Sequence, residues 1–118
     1  MPGPLAGYRV IDVTQMLSGP MSTMILGDQG ADVIKVEPPQ TGDLTRAFGS
    51  NGFSPMFTMI NCNKRSVTID LKQEQGVVLL KQIVAEADVF IQNFRPGAVE
   101  RMGIGEEVLR QVEPDLIY

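Results

Sequence analysis

The sequence predicts a Rossmann-like α/β domain, a mainly parallel sheet with helices on its faces. Two observations carry the prediction. Short β-rich runs alternate along the chain with helical stretches, the arrangement that builds parallel sheets. Proline and glycine punctuate the boundaries where helices and strands would begin or stop. Right-handed crossovers between such strands place the helices on the two sheet faces. Strand order is not readable from the sequence.

The elements follow in order. Arg9 to Val13 (RVIDV) is the first strand, after a Gly-Tyr turn. Ser18-Gly19-Pro20 opens a helix, because a proline in the first turn loses no hydrogen bond. Met21, Met24, Ile25 and Leu26 predict its apolar stripe, and Gly30 stands where a left-handed cap would end it. Asp32 to Val36 (DVIKV) is the second strand, stopped by Pro38-Pro39. Residues 40–55 are polar and glycine-rich and read as loop, and Phe57 to Asn61 has no assigned type. Ser66 to Leu71 predicts the third strand. Glu74 to Glu86 is the best helix, with Val77, Leu80, Val84 and Ala87 on one face and Ile83 beside them. Asp88 to Gln92 is the fourth strand, Glu106 to Val112 a further helix ended by Pro114, and Asp115 to Tyr118 begins a fifth strand.

Composition bounds the chemistry. The 118 residues are 43% hydrophobic and 20% charged, with a mean hydropathy of +0.03, the balance of a packed globular core. They fit one domain or part of one, and no repeat or linker divides them. A net charge of −4 and a pI near 4.7 argue against nucleic-acid binding, while leaving room for a local phosphate pocket. The chain has no histidine, which removes His-based acid–base chemistry and His metal ligands. A single cysteine, Cys62, removes intrachain disulfides and Cys-cluster zinc sites and fits a reducing, cytoplasmic setting. Neither a signal peptide nor a membrane span is read.

Ligands of open α/β sheets lie at the carboxyl ends of the strands. In this chain those ends carry Met16, Leu17 and Ser18, then Glu37 and Pro38, then Lys72, and finally Asn93, Phe94 and Arg95. The mixture of apolar groups, amides and cations suits an aromatic base with phosphates. Arg95 and Arg101 are the candidate phosphate partners, since guanidinium donates bidentately, and Phe94 would pack on a flat ring. From the residues alone the plainer reading is favoured, that these are ordinary surface cations and a core phenylalanine, since most surface charges have no ligand. The first turn lacks the G-x-G-x-x-G fingerprint, having only Gly19, which argues against a dinucleotide oxidoreductase. The basic segment Asn61 to Ser66 either holds a phosphate or forms a capped turn. Cys62 reads as a small buried residue rather than a nucleophile, and the seven methionines as core filler. Asp43, three residues before Arg46, is either a mobile site group or part of a salt-bridged turn.

Taken together, the stretches PLAGYRVIDVT, GPMSTMILGDQGADVIKVEPP, GDLTR, NCNKRSVTIDLK, ADVFIQNFRPGAVERMGIG and PDLIY resemble the class III CoA-transferases, with the related acyl-CoA racemases. The resemblance covers nearly the whole chain. It implies a CoA-binding large domain, in a cytoplasmic enzyme that forms an interlocked homodimer and uses no metal. Its substrates would be an acyl-CoA and a carboxylic acid acceptor. Carried over by motif, the CoA contacts are Met16, Leu17, Ser18, Pro38, Leu71, Lys72, Asn93, Phe94, Arg95, Arg101 and Met102. The family's reaction runs through a nucleophilic aspartate that none of the seven aspartates matches, so no catalytic residue is assigned. Residues 1–118 are expected to be the N-terminal, CoA-holding part of the large domain, truncated at Tyr118. The resemblance departs at Leu17 and Pro38, where formyl-CoA transferase has Gln and Arg; Leu lacks the amide donors of Gln, which argues against an oxalate or formate substrate. A racemase of the same superfamily and a non-catalytic CoA-binding module are the alternatives.

Overall fold

A computed structural model describes residues 2–118. Four strands, β1 (Arg9–Asp12), β2 (Asp32–Glu37), β3 (Lys64–Thr68) and β4 (Val89–Ile91), form one sheet in the order β3-β2-β1-β4. Every pairing is parallel. The chain therefore lays strands outward from β1 and then returns to β1's other side. That reversal makes the gap between β1 and β4 the switch point, where such sheets open a crevice.

Parallel registers put matched residues on one face. Val10 aligns with Val33 and Val89, and Asp12 with Lys35 and Ile91. This face is covered by α1 (Ser18–Asp28) and by α2 (Pro55–Ile60), which begins at a Ser54 cap whose hydroxyl accepts from the Phe57 N–H. The opposite face presents Ile11, Val13, Val36 and Phe90 to α3 (Glu74–Val84), α4 (Ala98–Arg101) and α5 (Glu106–Val112). Leu80, Val84, Val99, Ile104, Leu109 and Leu116 fill that side and are buried.

Several sequence expectations change. The helix at 74–84 carries its predicted stripe, with Leu80, Val84 and Ala87 buried. Most of the stripe predicted for α1 does not face the sheet, although Leu26 packs against the cluster of Val10, Ala31 and Val33. Gly19, Pro20, Thr23 and Gly27 face it, and Met21 and Ile25 stand 42% and 48% exposed. The reason is close approach: a Cβ on Gly19 would lie 2.4 Å from the Thr14 Cβ, so only a small-residue face fits. Nor do methionines fill the core, since Met16, Met21 and Met59 are exposed and no described methionine is buried. The third strand starts two residues earlier than predicted, because Lys64 and Arg65 enter the ladder and bond to Asp12 and Asp32. It ends at Thr68 and lies exposed at the sheet edge. The predicted loop contains a 3-10 helix, Leu44–Ala47, capped by the Asp43 carboxylate on Thr45 N–H. Instead of a fifth strand there is one parallel bridge, Val89 to Ile117. Gly30 does adopt positive φ (+100°), as its role after α1 requires.

Candidate functional site

The carboxyl ends of the strands border a cleft of about 250 Å3 on the α3 side of the sheet. Pro38, Leu71, Lys72, Phe94 and Met102, all singled out in the sequence, line it, together with Val13, Gln15 and Ile69. A second hollow of about 310 Å3 shares Leu71, Lys72 and Met102 and adds Arg101. These residues converge because β2, β3 and β4 all end at this level, while α4 follows β4 closely enough to set Met102 and Arg101 over the β3 end. Phe94 packs against the apolar core with one side and borders the cleft with the other.

Met16, Leu17 and Ser18 fall outside both hollows. The chain leaving β1 passes from Gln15, at the cleft, through these three residues into α1, which packs on the other face of the sheet. Met16 takes a left-handed conformation (φ +70°), which a methionine adopts only when its surroundings impose it. Arg95 is exposed and borders neither hollow. Asn93 spends its amide on the first loop: Oδ1 accepts from Gln15 N–H at 3.0 Å, and Nδ2 donates to Gln15 O at 2.7 Å.

The cations divide into two groups. Arg9, Lys35, Arg46, Lys64, Arg65 and Arg110 are each paired with a carboxylate. Lys72, Lys81, Arg95 and Arg101 make no ion pair among the described residues. Three of these four belong to the strand-end loops or to α4 above them.

Behind the loops lies a polar network that sequence reasoning did not anticipate. Lys64 Nζ, 2% exposed, meets Asp12 Oδ2 at 2.9 Å and also donates to the carbonyl of Pro20 and the Asn61 side chain. Burial pulls Lys64 below the ordinary lysine value, and the Asp12 carboxylate offsets only part of that. Asp12 also accepts from Thr14 and Thr23. Lys35 Nζ, 1% exposed, lies 2.8 Å from Asp43 Oδ2 and donates to the Thr14 carbonyl. Burial alone would raise Asp43, but Lys35 and both donors of Thr45 hold it below the usual carboxylate range. Glu37 takes two bonds from Arg46 at 2.7 Å, one from Ser66 and one from Asp43 N–H. Burial opposes ionisation there too, yet these donors bring Glu37 down to about 2. Arg46 also lies flat over Phe57, 3.7 Å from the ring centre.

The structure bears on two readings left open by the sequence and corrects one expectation. Asp43 pairs with Lys35, while Arg46 pairs with Glu37. Of the open readings for Asn61 to Ser66, the turn is observed: Asn61 donates to the Phe57 carbonyl, and Lys64 onward is strand. Cys62 is exposed rather than buried, its thiol directed at the Thr58 carbonyl. One sequence signal pointed to the network: Lys35 interrupts the apolar run DVIKV, and a charge inside a covered parallel strand needs a buried partner.

The fold and the strand-end cleft together define a doubly wound α/β protein with a hollow at the carboxyl ends of its strands. Comparison with known proteins narrows this class. The sequence profile of CoA-transferase family III matches residues 5–118. The chain belongs to that family. It is 44% identical to mouse succinyl-CoA:glutarate CoA-transferase over 98% of its length, and 44% identical to a formyl-CoA:oxalate CoA-transferase of Streptomyces avermitilis over 97%. Among solved structures, a CAIB/BAIF family protein from Brucella suis superposes with a TM-score of 0.93 at 41% identity, covering all of this chain and 33% of that one. Rv3272 of Mycobacterium tuberculosis, in its orthorhombic form, gives 0.92 at 41% identity over 99% and 34%. The chain spans about 27% of the length of the curated relatives it matches.

Proposed function

We propose that these residues hold the CoA moiety in an enzyme that moves CoA from an acyl-CoA to a carboxylic acid. The observation that carries the reading is the set of unpaired cations beside an apolar cleft. Lys72 and Arg101 share one hollow with Leu71 and Met102, and Phe94 and Pro38 wall the next. A nucleotide thioester needs both kinds of surface. Its phosphates gain from cations that no ion pair holds among the described residues, Arg through bidentate donation and Lys as a point charge, although Glu74 borders the same hollow. Its base and its largely apolar arm gain from burial against Phe94, Met102 and Leu71.

Here the protein binds and orients, and the covalent step belongs to a carboxylate nucleophile outside these 118 residues. In that reaction an aspartate attacks the thioester, releasing CoA thiolate and leaving an acyl anhydride. The thiolate then attacks the aspartyl carbonyl, giving an aspartyl-CoA thioester and the free acid. The reading takes the parent enzyme to be a cytoplasmic homodimer, as the family resemblance implies. Membership of a family whose named relatives are CoA-transferases supports the transferase part of this reading.

The test uses the full-length protein. Calorimetric titration with CoA is expected to show binding that Arg101→Ala weakens about tenfold, the value of one charge-assisted contact. Assay of a labelled acyl-CoA against a panel of carboxylic acids is expected to give exchange. A folded full-length protein that binds CoA and exchanges with no acid overturns the transferase reading, and one that does not bind CoA overturns the binding reading.

A further inference from the structure

Three consecutive residues after β1 have their backbone groups held by side chains from elsewhere in the fold. Thr14 O accepts from Lys35 Nζ at 2.9 Å, Gln15 N–H and O both bond to Asn93, and Met16 N–H points at Asp43 Oδ1 at 3.4 Å. The sheet ladder cannot serve these groups, because β1 has already ended at Asp12. Backbone polar groups without ladder partners need others, and here they come from opposite sides of the switch point: Lys35 and Asp43 from β2 and its loop, Asn93 from the loop after β4. Asn93 thus ties the loop after β4 to Gln15, which borders the cleft and directly precedes Met16 and Leu17.

We propose that Asn93 is a positioning residue for the CoA site: it latches the first loop across the switch point and thereby holds Met16 in its left-handed conformation, instead of serving mainly as a CoA contact. The inference rests on the CoA-binding reading for the ligand concerned, and on geometry alone for the latch. Both polar atoms of the Asn93 amide are already engaged with Gln15 in the unliganded fold. A left-handed methionine is unfavourable by itself and persists only while its neighbours over-determine it. Removing the latch therefore loosens residues that Asn93 does not itself touch.

The experiment uses full-length protein and the variants Asn93→Ala and Asn93→Asp. Amide hydrogen exchange is followed without ligand, with Met16 as reporter, since its own acceptor is Asp43 rather than Asn93. CoA affinity is then measured by calorimetry. Asn93→Ala is expected to speed Met16 exchange about tenfold, with Val33 to Val36 unchanged, and to weaken CoA about tenfold, one hydrogen bond's worth in each case. Asn93→Asp keeps the acceptor for Gln15 N–H but sets a carboxylate oxygen against Gln15 O, so it should speed Met16 exchange and weaken CoA at least as much as Asn93→Ala. It also supplies the test if the alanine variant folds poorly. Unchanged Met16 exchange with weakened CoA binding would make Asn93 a direct contact and overturn the proposal. So would faster exchange with unaltered CoA affinity. If the unaltered protein binds no CoA, the functional reading fails, and the exchange arm still decides whether the latch exists.

Discussion

The two faces of this sheet are built on different physics. The face toward α3, α4 and α5 is closed by aliphatic and aromatic side chains, Ile11, Val36, Leu80, Val84, Phe90, Ile104, Leu109 and Leu116 among them. The face toward α1 buries a smaller apolar set, Val10, Ala31 and Val33, and beside it two ion pairs, Asp12–Lys64 and Lys35–Asp43, each with both partners at most 2% exposed. Apolar burial is non-directional and scales with area. Buried charge is directional: desolvation is recovered only where the partner stands at the right distance with its remaining hydrogen-bonding capacity filled. The first face gives the domain a core. The second fixes where three chain segments end relative to one another, which is what a ligand site at the strand ends requires.

The comparison breaks most sharply at Asp12. Its carboxylate meets Lys64, Thr14 and Thr23 in one place. Asp12→Ala leaves the Lys64 ammonium buried without a counter-charge, and is expected to cost about 3–5 kcal/mol, the range for halving a buried pair. Denaturant unfolding at neutral pH measures it. A cost below about 1 kcal/mol, the range of exposed pairs, would mean that water reaches Lys64 and that the polar face is not dry.

On the apolar face the corresponding change is Leu80→Ala. Leu80 is fully buried in the α3 interface, and deletion of its side chain is expected to cost about 2–5 kcal/mol. The two variants sharpen the contrast through CoA affinity. Leu80→Ala should lower the unfolding midpoint and leave CoA binding by the folded protein within about twofold, since its cavity can be absorbed by neighbouring aliphatic side chains. Asp12→Ala should lower both, because Asp12 also accepts from the Thr14 backbone, next to the latched loop. Equal effects on affinity would erase the distinction between the faces.

How legible each face was in the sequence follows from the same difference. The α3 stripe was readable because aliphatic residues at helical spacing signal burial without reference to any partner. The strand ends were readable because α/β topology singles them out: Glu37, Pro38, Lys72 and Phe94, placed there on that ground, border the cleft, while Leu71 and Met102 came from the family resemblance. The α1 face was misread for a reason internal to it. Its helix is apolar on several sides, and the side that packs is set by Gly19 and Gly27, whose lack of a side chain is invisible to a hydrophobic pattern. The ion pairs were hidden because Asp12 and Lys64 are 52 residues apart, and nothing local to either names the other. Asn93 shows the limit on function. Its residue type and place suited a ligand contact, and only coordinates reveal that Gln15 already occupies its amide.

The smallest expected effect lies at the boundary between the polar face and solvent, at Glu37. Its carboxyl is 3% exposed while its partner Arg46 has a side chain 43% exposed, so the pair is neither fully dry nor fully wet. The folded-state value of about 2 lies below the ordinary 4.5. A carboxyl depressed on folding contributes stability that is complete above its unfolded value and disappears as pH falls through the folded one. The contribution of Glu37 should therefore be full at pH 6 and decline between about 4.5 and 2. Glu37→Gln removes the titration and leaves one acceptor oxygen, enough for Ser66 or for Asp43 N–H but not for both, so it should be destabilised at pH 6 and less so near pH 3. Denaturant midpoints of both proteins across that range measure the difference. Parallel pH profiles would show that Arg46 does not hold the Glu37 charge in solution. Convergence at low pH would extend the directional physics of the buried pairs to the rim of the cleft that Glu37 also borders.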